Sequence, residues 1–205
     1  MTEDIQEFVI YLRDVKKTSK NTEISYRRDL MQLEDYLRGQ GITETDKVTR
    51  TSLNSYILYL EKNGKATTTI SRELAAIKAF FHYEFKEGKI KRDPAELLKA
   101  PKVEKKAPVI LTVEEVQALL AQPEGKNAKE LRDKAMLELL YATGIRVSEI
   151  INLKLDDINL NVGFLVCRDG QRERTIPFGK RASKALDEYL NQARGELLKG
   201  QESDW

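Results

Sequence analysis

The chain has 205 residues, 40% of them hydrophobic and 33% charged, with a formal net charge of +2; this suits a globular protein with one large or two small cores. One cysteine, Cys167, and one histidine, His82, exclude an internal disulfide and argue against a metal centre built from those side chains. No apolar run approaches the roughly 18 residues of a membrane span, and the acidic Met1-Thr2-Glu3-Asp4 start is not a secretory signal, so a cytoplasmic protein with no metal and no membrane partner is expected.

Residues 1–88 predict four helices. Ile5, Phe8, Val9, Leu12 and Val15 recur at helical spacing. Asn21 is suited to cap a second helix with Ile24, Leu30, Leu33 and Leu37 on one face, stopped by Gly39 and Gly41. Thr49 or Thr51 opens a third, with Leu53, Ile57 and Leu60 inward and Asn63-Gly64 at its end. Thr67 to Phe85 is the fourth, with Ile70, Leu74, Ile77 and Phe81 as its core face and Gly88 closing it. Short connections between helices of this length predict a helical bundle.

Residues 89–108 break the pattern. Pro94, Pro101 and Pro108 stand among many lysines, which reads as a semi-extended basic linker and a domain boundary. After it, Thr112-Val113-Glu114-Glu115 carries a capping-box signature. A helix follows from about Ala128 to Tyr141, broken by Thr143-Gly144 and resumed through Val147, Ile150 and Ile151. Three short strands are then expected at Asp157–Leu160, Phe164–Cys167 and Glu173–Pro177, turning at Asn161-Val162-Gly163 and near Asp169-Gly170. A last helix from about Arg181 to Leu198 places Ala185, Leu186 and Tyr189 inward. The class is therefore mainly α, a four-helix domain followed by an α+β portion with a small antiparallel sheet.

Charge is segregated along the chain. From Lys16 to Arg28 five basic residues face one acidic; from Lys86 to Lys106 eight face four; from Arg168 to Lys184 six face two, so the remainder carries −10. Such segregation suits surfaces that face a polyanion, although charge runs are also commonly solvated faces. Two sets combine small hydroxyls with bases near helix starts, a composition that suits phosphate contacts. The first is Lys20, Thr22, Ser25, Tyr26 and Arg28; the second is Thr67, Thr68, Thr69, Arg72 and Lys78. Lys105 and Lys106 in the linker and Arg168 and Arg174 near the hairpin extend the list of candidate DNA contacts.

The most informative segment runs from Tyr141 to Leu153, Tyr-Ala-Thr-Gly-Ile-Arg-Val-Ser-Glu-Ile-Ile-Asn-Leu. It reads as a helix, a glycine-permitted turn, and an arginine at the start of a new helix. A guanidinium beside backbone N–H groups suits phosphate oxygens. The alternative is an arginine that merely bridges an acidic partner such as Glu149 or Asp156.

With its continuation Lys154-Leu155-Asp156-Asp157-Ile158-Asn159-Leu160, this segment strongly resembles the first-arginine motif of the tyrosine recombinase (phage integrase) family, in particular its bacterial Xer members. The resemblance runs the length of the chain. Residues 20–30 and 67–84 are similar to the family's SAM-like core-binding domain, 93–120 to its interdomain linker, and 167–178 to its strand-two to strand-three hairpin. It implies cleavage and rejoining of DNA through a phosphotyrosine bond, with no metal or nucleotide cofactor. It also implies double-stranded DNA clamped by two domains, and a tetramer on paired sites with a possible partner recombinase. Arg146 matches the first catalytic arginine, which stabilises charge on the phosphate oxygens. Arg172 stands where the family has a lysine that acts as general acid, a role an arginine does not readily fill; either Arg172 only contacts phosphate or Arg168 or Arg174 reaches in. The second arginine box and the nucleophilic tyrosine are not matched, so this chain is expected to bind DNA without cleaving it, with an apolar face around Leu139, Ile150 and Leu186 left uncovered. A natural non-catalytic DNA-binding regulator of recombination sites is the second reading.

Overall fold

Residues 1–102, 107–169 and 172–204 are described in the computed structural model, and they form two units, Met1–Ala107 and Pro108–Trp205. The first holds helices α1 (Thr2–Asp14), α2 (Lys20–Gly39), α3 (Arg50–Lys62) and α4 (Thr67–Lys86). Helix α2 starts earlier than expected because Ser19, not Asn21, is its cap: the Ser19 backbone is extended and its Oγ accepts the Thr22 N–H at 3.3 Å. Helix α3 opens on a reciprocal box in which Thr49 Oγ1 accepts the Ser52 N–H at 3.2 Å and Ser52 Oγ accepts the Thr49 N–H at 3.0 Å.

The expected apolar stripes meet in one core, built from Phe8, Leu12, Leu33, Leu37, Leu53, Leu74 and their neighbours, all buried. Phe8 meets Phe80 edge-on with ring centroids 5.6 Å apart. Two expected core positions are not in it: Ile24 and Val15 are exposed, and Tyr26 packs against the core instead. His82 lies on the solvent side, with Nδ1 3.9 Å from Asp93 Oδ2. Among the described residues, four carboxylates are buried in this unit. Asp29 pairs with Arg72, Glu34 with Thr2 and Arg38, Glu73 accepts from the Tyr56 hydroxyl at 2.8 Å, and Glu84 lies 3.5 Å from Lys89. Beyond α4 the chain stays on the bundle: Ile90, Ala95 and Leu98 are buried in the same core, and the Ala95 N–H donates to Asp93 Oδ1 at 2.8 Å.

The second unit runs α5 (Val113–Ala121), α6 (Ala128–Thr143), α7 (Val147–Ile150), β1 (Ile158–Asn159), β2 (Phe164–Asp169), β3 (Arg172–Pro177), α8 (Lys180–Glu188) and α9 (Arg194–Leu198). The Thr112–Glu115 box forms as read, with Glu115 Oε2 accepting the Thr112 N–H at 2.8 Å. The strands make one antiparallel sheet in the order β1-β2-β3, with Leu165 opposite Ile176 and Cys167 opposite Arg174. Strand β1 is only two residues long because Leu155–Asp157 forms a 3₁₀ turn, closed where the Lys154 N–H donates to Asp157 Oδ2 at 3.1 Å. The first sheet turn needs Gly163, whose φ of +82° no β-branched residue tolerates. Helices α6 and α8 pack on the sheet through Ala135, Leu139, Leu165, Cys167, Ala182 and Leu186. The single last helix expected is interrupted: a π turn over Tyr189–Ala193 separates α8 from α9. Leu139 and Leu186 are themselves buried, and beside them an open groove of about 290 Å³ is lined by Ile151 and Leu155, both exposed.

Candidate functional site

Helix α6 ends on Gly144 at φ +63°, a left-handed cap, and buried Ile145 anchors the turn. Arg146 follows as the cap of the one-turn helix α7. The anion at its backbone is a side chain of the protein: the Arg146 N–H donates to Glu149 Oε2 at 2.7 Å, and its Nη1 donates to Glu149 Oε1 at 3.3 Å. Glu149 also accepts from Arg174 Nη2 at 2.8 Å. The Glu149 carboxylate is thus nearly enclosed while the Arg146 side chain is 68% exposed. The Arg146 backbone N–H, then Arg174, hold its carboxyl below the usual range. Of the acidic partners considered for Arg146, Glu149 is the one the fold supplies.

A cavity of about 340 Å³ opens here, lined in part by Arg146, Glu149, Asn152, Asp157, Cys167 and Arg168. Arg168 Nη1 donates to buried Asp157, and its Nε donates to Glu173 Oε2 at 3.1 Å. Burial pushes the Cys167 thiol up, with Glu149 adding to the rise and Arg174 opposing it, so the cysteine behaves as packing rather than as a nucleophile. No tyrosine lines the cavity; Tyr141 is exposed on α6 and Tyr189 packs against the second core. Arg172 is the exposed first residue of β3, paired with Asp169 at the hairpin tip, and does not line the cavity. The fold therefore brings Arg168 and Arg174, not Arg172, to the neighbourhood of Arg146. Guanidinium groups held in this way suit the oxygens of a phosphate diester, and they offer no general acid because they stay protonated.

In the first unit, Lys20, Thr22, Ser25, Tyr26 and Arg28 occupy the first half of α2. The Thr22 hydroxyl lies 2.9 Å from Ser19 Oγ, and Arg28 is exposed beside Asp29. Thr67, Thr68 and Thr69 form the first turn of α4, and Arg72 in the next turn is hydrogen-bonded to Asp29 on α2, which ties the two sets together. Lys78 is separated from them: it sits about 9 Å beyond Arg72 along the helix and its Nζ donates to the Glu96 carbonyl at 3.4 Å. Lys105 and Lys106 lie outside the described residues. Sequence reasoning missed Asp29 and Asp157, the buried acids that hold Arg72 and Arg168. The available signal was an acid inside an apolar stripe, Asp29 between Tyr26 and Leu33. Among the described residues no group of three His, Cys, Asp or Glu side chains is placed to hold a metal ion, and no helix is long and apolar enough to cross a membrane.

Residues 110–205 match the model of the phage integrase family, and residues 5–88 match that of the phage integrase N-terminal SAM-like domain. The chain is 42% identical over 203 residues to tyrosine recombinase XerD of Halalkalibacterium halodurans, covering 98% of this chain and 68% of that protein. It is 36% identical over 199 residues to XerD of Listeria innocua, covering 96% of this chain and 67% of the relative. The chain spans about two thirds of the length of the curated relatives it matches. The fold is shared with a lambda integrase dimer bound to a COC′ core site, at a TM-score of 0.72, 19% identity, and coverage of 92% of this chain and 68% of the other. It is shared also with the Tn1549 transposon integrase in complex with a circular intermediate DNA, at a TM-score of 0.70, 17% identity, and coverage of 94% and 66%.

Proposed function

The chain belongs to the phage integrase family of tyrosine recombinases, and from that premise we propose that it binds double-stranded DNA and contributes the first arginine of a strand-cleaving site. The whole protein's activity is then site-specific recombination by cleavage and rejoining through a phosphotyrosine bond, in the cytoplasm, on paired sites and as a tetramer, with a second recombinase as possible partner. Residues 1–88 act as the core-binding domain, 89–108 as the link, whose first part packs on that domain's core, and 109–205 as part of the catalytic domain. DNA-bound lambda and Tn1549 integrases among the solved structures of this fold support the duplex as ligand.

The observation that carries the proposal is the placing of Arg146 at a cavity shared with Arg168, while Glu149 holds both Arg146 and Arg174. Arg146 serves the non-bridging oxygens of the scissile phosphate, where loss of one such contact costs about 3 kcal/mol of barrier. Arg168 and Arg174 flank it, and Arg172 reaches for DNA from the hairpin tip. The first-half residues of α2, with Thr67, Thr68, Thr69 and Arg72, bind backbone phosphates, and Lys78, Lys105 and Lys106 add charge. No tyrosine lines the cavity, which supports the reading that this chain by itself binds without cleaving.

A gel shift over a salt series and a nicked suicide duplex test the two halves separately. The expected result is a complex that weakens steeply with salt and no covalent protein–DNA product. No shift at low salt would overturn the binding proposal. A covalent product would overturn the proposal that the chain alone does not cleave.

A further inference from the structure

Asp29 differs from the other buried carboxylates of the helical unit in what it holds. It is 1% exposed on α2; its Oδ2 accepts a hydrogen bond from Nη1 of Arg72 on α4, and its Oδ1 lies 3.8 Å from Nε of Arg28. Glu34, Glu73 and Glu84 pair with Arg38, Tyr56 and Lys89, none of which belongs to the two basic sets. We propose that Asp29 is a positioning residue for DNA binding, which fixes the Arg72 guanidinium, close to the exposed Arg28, for presentation to the phosphate backbone without touching DNA itself. The inference rests on the DNA-binding reading above and names a residue through which that surface is built.

A carboxylate withdrawn from water is costly unless it is paired, and a charge-assisted hydrogen bond is directional. An unrestrained surface arginine has many rotamers, and ordering it on binding subtracts from affinity. Asp29 orders Arg72 when the domain folds, before any ligand arrives. A guanidinium carries five N–H donors, and the Arg72 side chain is 35% exposed, so its outward edge remains to meet phosphate oxygens. Thr67, Thr68 and Thr69 lie one turn earlier on α4, while Thr22 and Ser25 precede Arg28 on α2. Asp29 thereby joins two sets separated by some forty residues of sequence.

Charge and position predict opposite signs for Asp29→Asn, which keeps the shape and removes one negative charge. Were Asp29 no more than a charge, the variant would bind DNA more tightly. As a positioning residue its loss weakens binding about tenfold and lowers the salt dependence by about one ion equivalent. The measurement is fluorescence anisotropy of the full chain with a labelled mixed-sequence duplex over a salt series, with thermal melting alongside. Asp35→Asn, the same charge change on the exposed side of α2, is the reference and leaves binding unchanged or tighter. Adding Asp29→Asn to Arg72→Ala brings no further loss. Arg72→Lys, at a partly exposed position, keeps the charge but not the fork and also weakens binding several-fold, which serves if the Asp29 variant does not fold. Parental affinity in Asp29→Asn or in Arg72→Lys overturns the inference while leaving the DNA-binding reading intact. No binding by the unaltered chain at low salt overturns both.

Discussion

Nη2 of Arg174 lies 2.8 Å from a carboxylate oxygen of Glu149, so β3 delivers its third residue, not its first, to the arginine of the α6–α7 turn. Cys167, Arg174, Ile176 and Leu165 share one face of the sheet by register, and the two-residue period puts Arg172 on that face too. Arg172 stands about 7 Å nearer the tip.

The two arginines are therefore expected to separate on substitution. Arg174→Ala removes one of the donors to Glu149 and destabilises the second unit by about 0.5–1 kcal/mol, discounted for exposure. Arg172→Ala changes stability by no more than about 0.5 kcal/mol while still weakening DNA binding at low salt. Urea melts of both variants, paired with gel shifts, check this; equal stability losses would count against the geometry.

The low-lying Glu149 carboxyl gives a pH signature. Its folded-state value sits below the ordinary one because the Arg146 backbone N–H and then Arg174 favour the charged form. The associated stability is present above the ordinary carboxylate range and is lost as pH falls through the depressed value. Melting of the second unit between about pH 6 and pH 2 should show this loss in the parent, and Glu149→Gln should lack that component.

Glu84 predicts the opposite slope in the helical unit. Burial raises its carboxyl from 4.5 to about 6, opposed by Lys89 and reinforced by Asp4 and Glu7. Its contribution is fully present below about pH 4.5 and is lost as pH rises through about 6, a change of about 2 kcal/mol by linkage. Glu84→Gln should accordingly melt higher than the parent at mildly alkaline pH, and the gap should close on acidification. A variant that melts lower at alkaline pH would show that the Lys89 pair dominates.

Two glycines test the turns that aim the site. Gly144→Ala meets no atom within 4 Å, so its cost is that of φ +63° alone, about 1 kcal/mol. Gly163→Ala adds a contact at 3.0 Å with the Phe178 carbonyl oxygen and should cost more. Urea titrations rank the pair, and the reverse order would contradict the backbone account.

Much of this fold was legible because it is periodic. The stripe Ile70, Leu74, Ile77, Phe81 and the box at Thr112 follow from spacing and local hydrogen bonding alone, and both form as read. Ile24 was misplaced because a stripe says which face is apolar, not how far along the helix a partner covers it. The Ser19 cap was missed because two neighbouring residues offered suitable acceptors, and backbone angles chose between them. At the candidate site, Arg146 was legible from its motif, whereas the sharing of Glu149 with Arg174 depends on strand register, which no local pattern in β3 encodes. The Asp29–Arg72 pair was illegible for a similar reason: an ion pair across forty residues leaves no periodic trace, only an acid where a leucine would fit.

The π turn at Tyr189–Ala193 has a geometric consequence for the end of the chain. One extra residue in a helical turn rotates everything after it by about 100°. Arg194, whose Nη2 donates to the Ser203 carbonyl, and Asp204, whose carbonyl accepts the Leu155 N–H at 2.9 Å, owe their bearings to that rotation. Deleting a single residue from this turn would hardly shorten α9, yet it would swing the returning tail off the 3₁₀ turn that leads into β1. Here the number of residues sets a compass heading rather than a length.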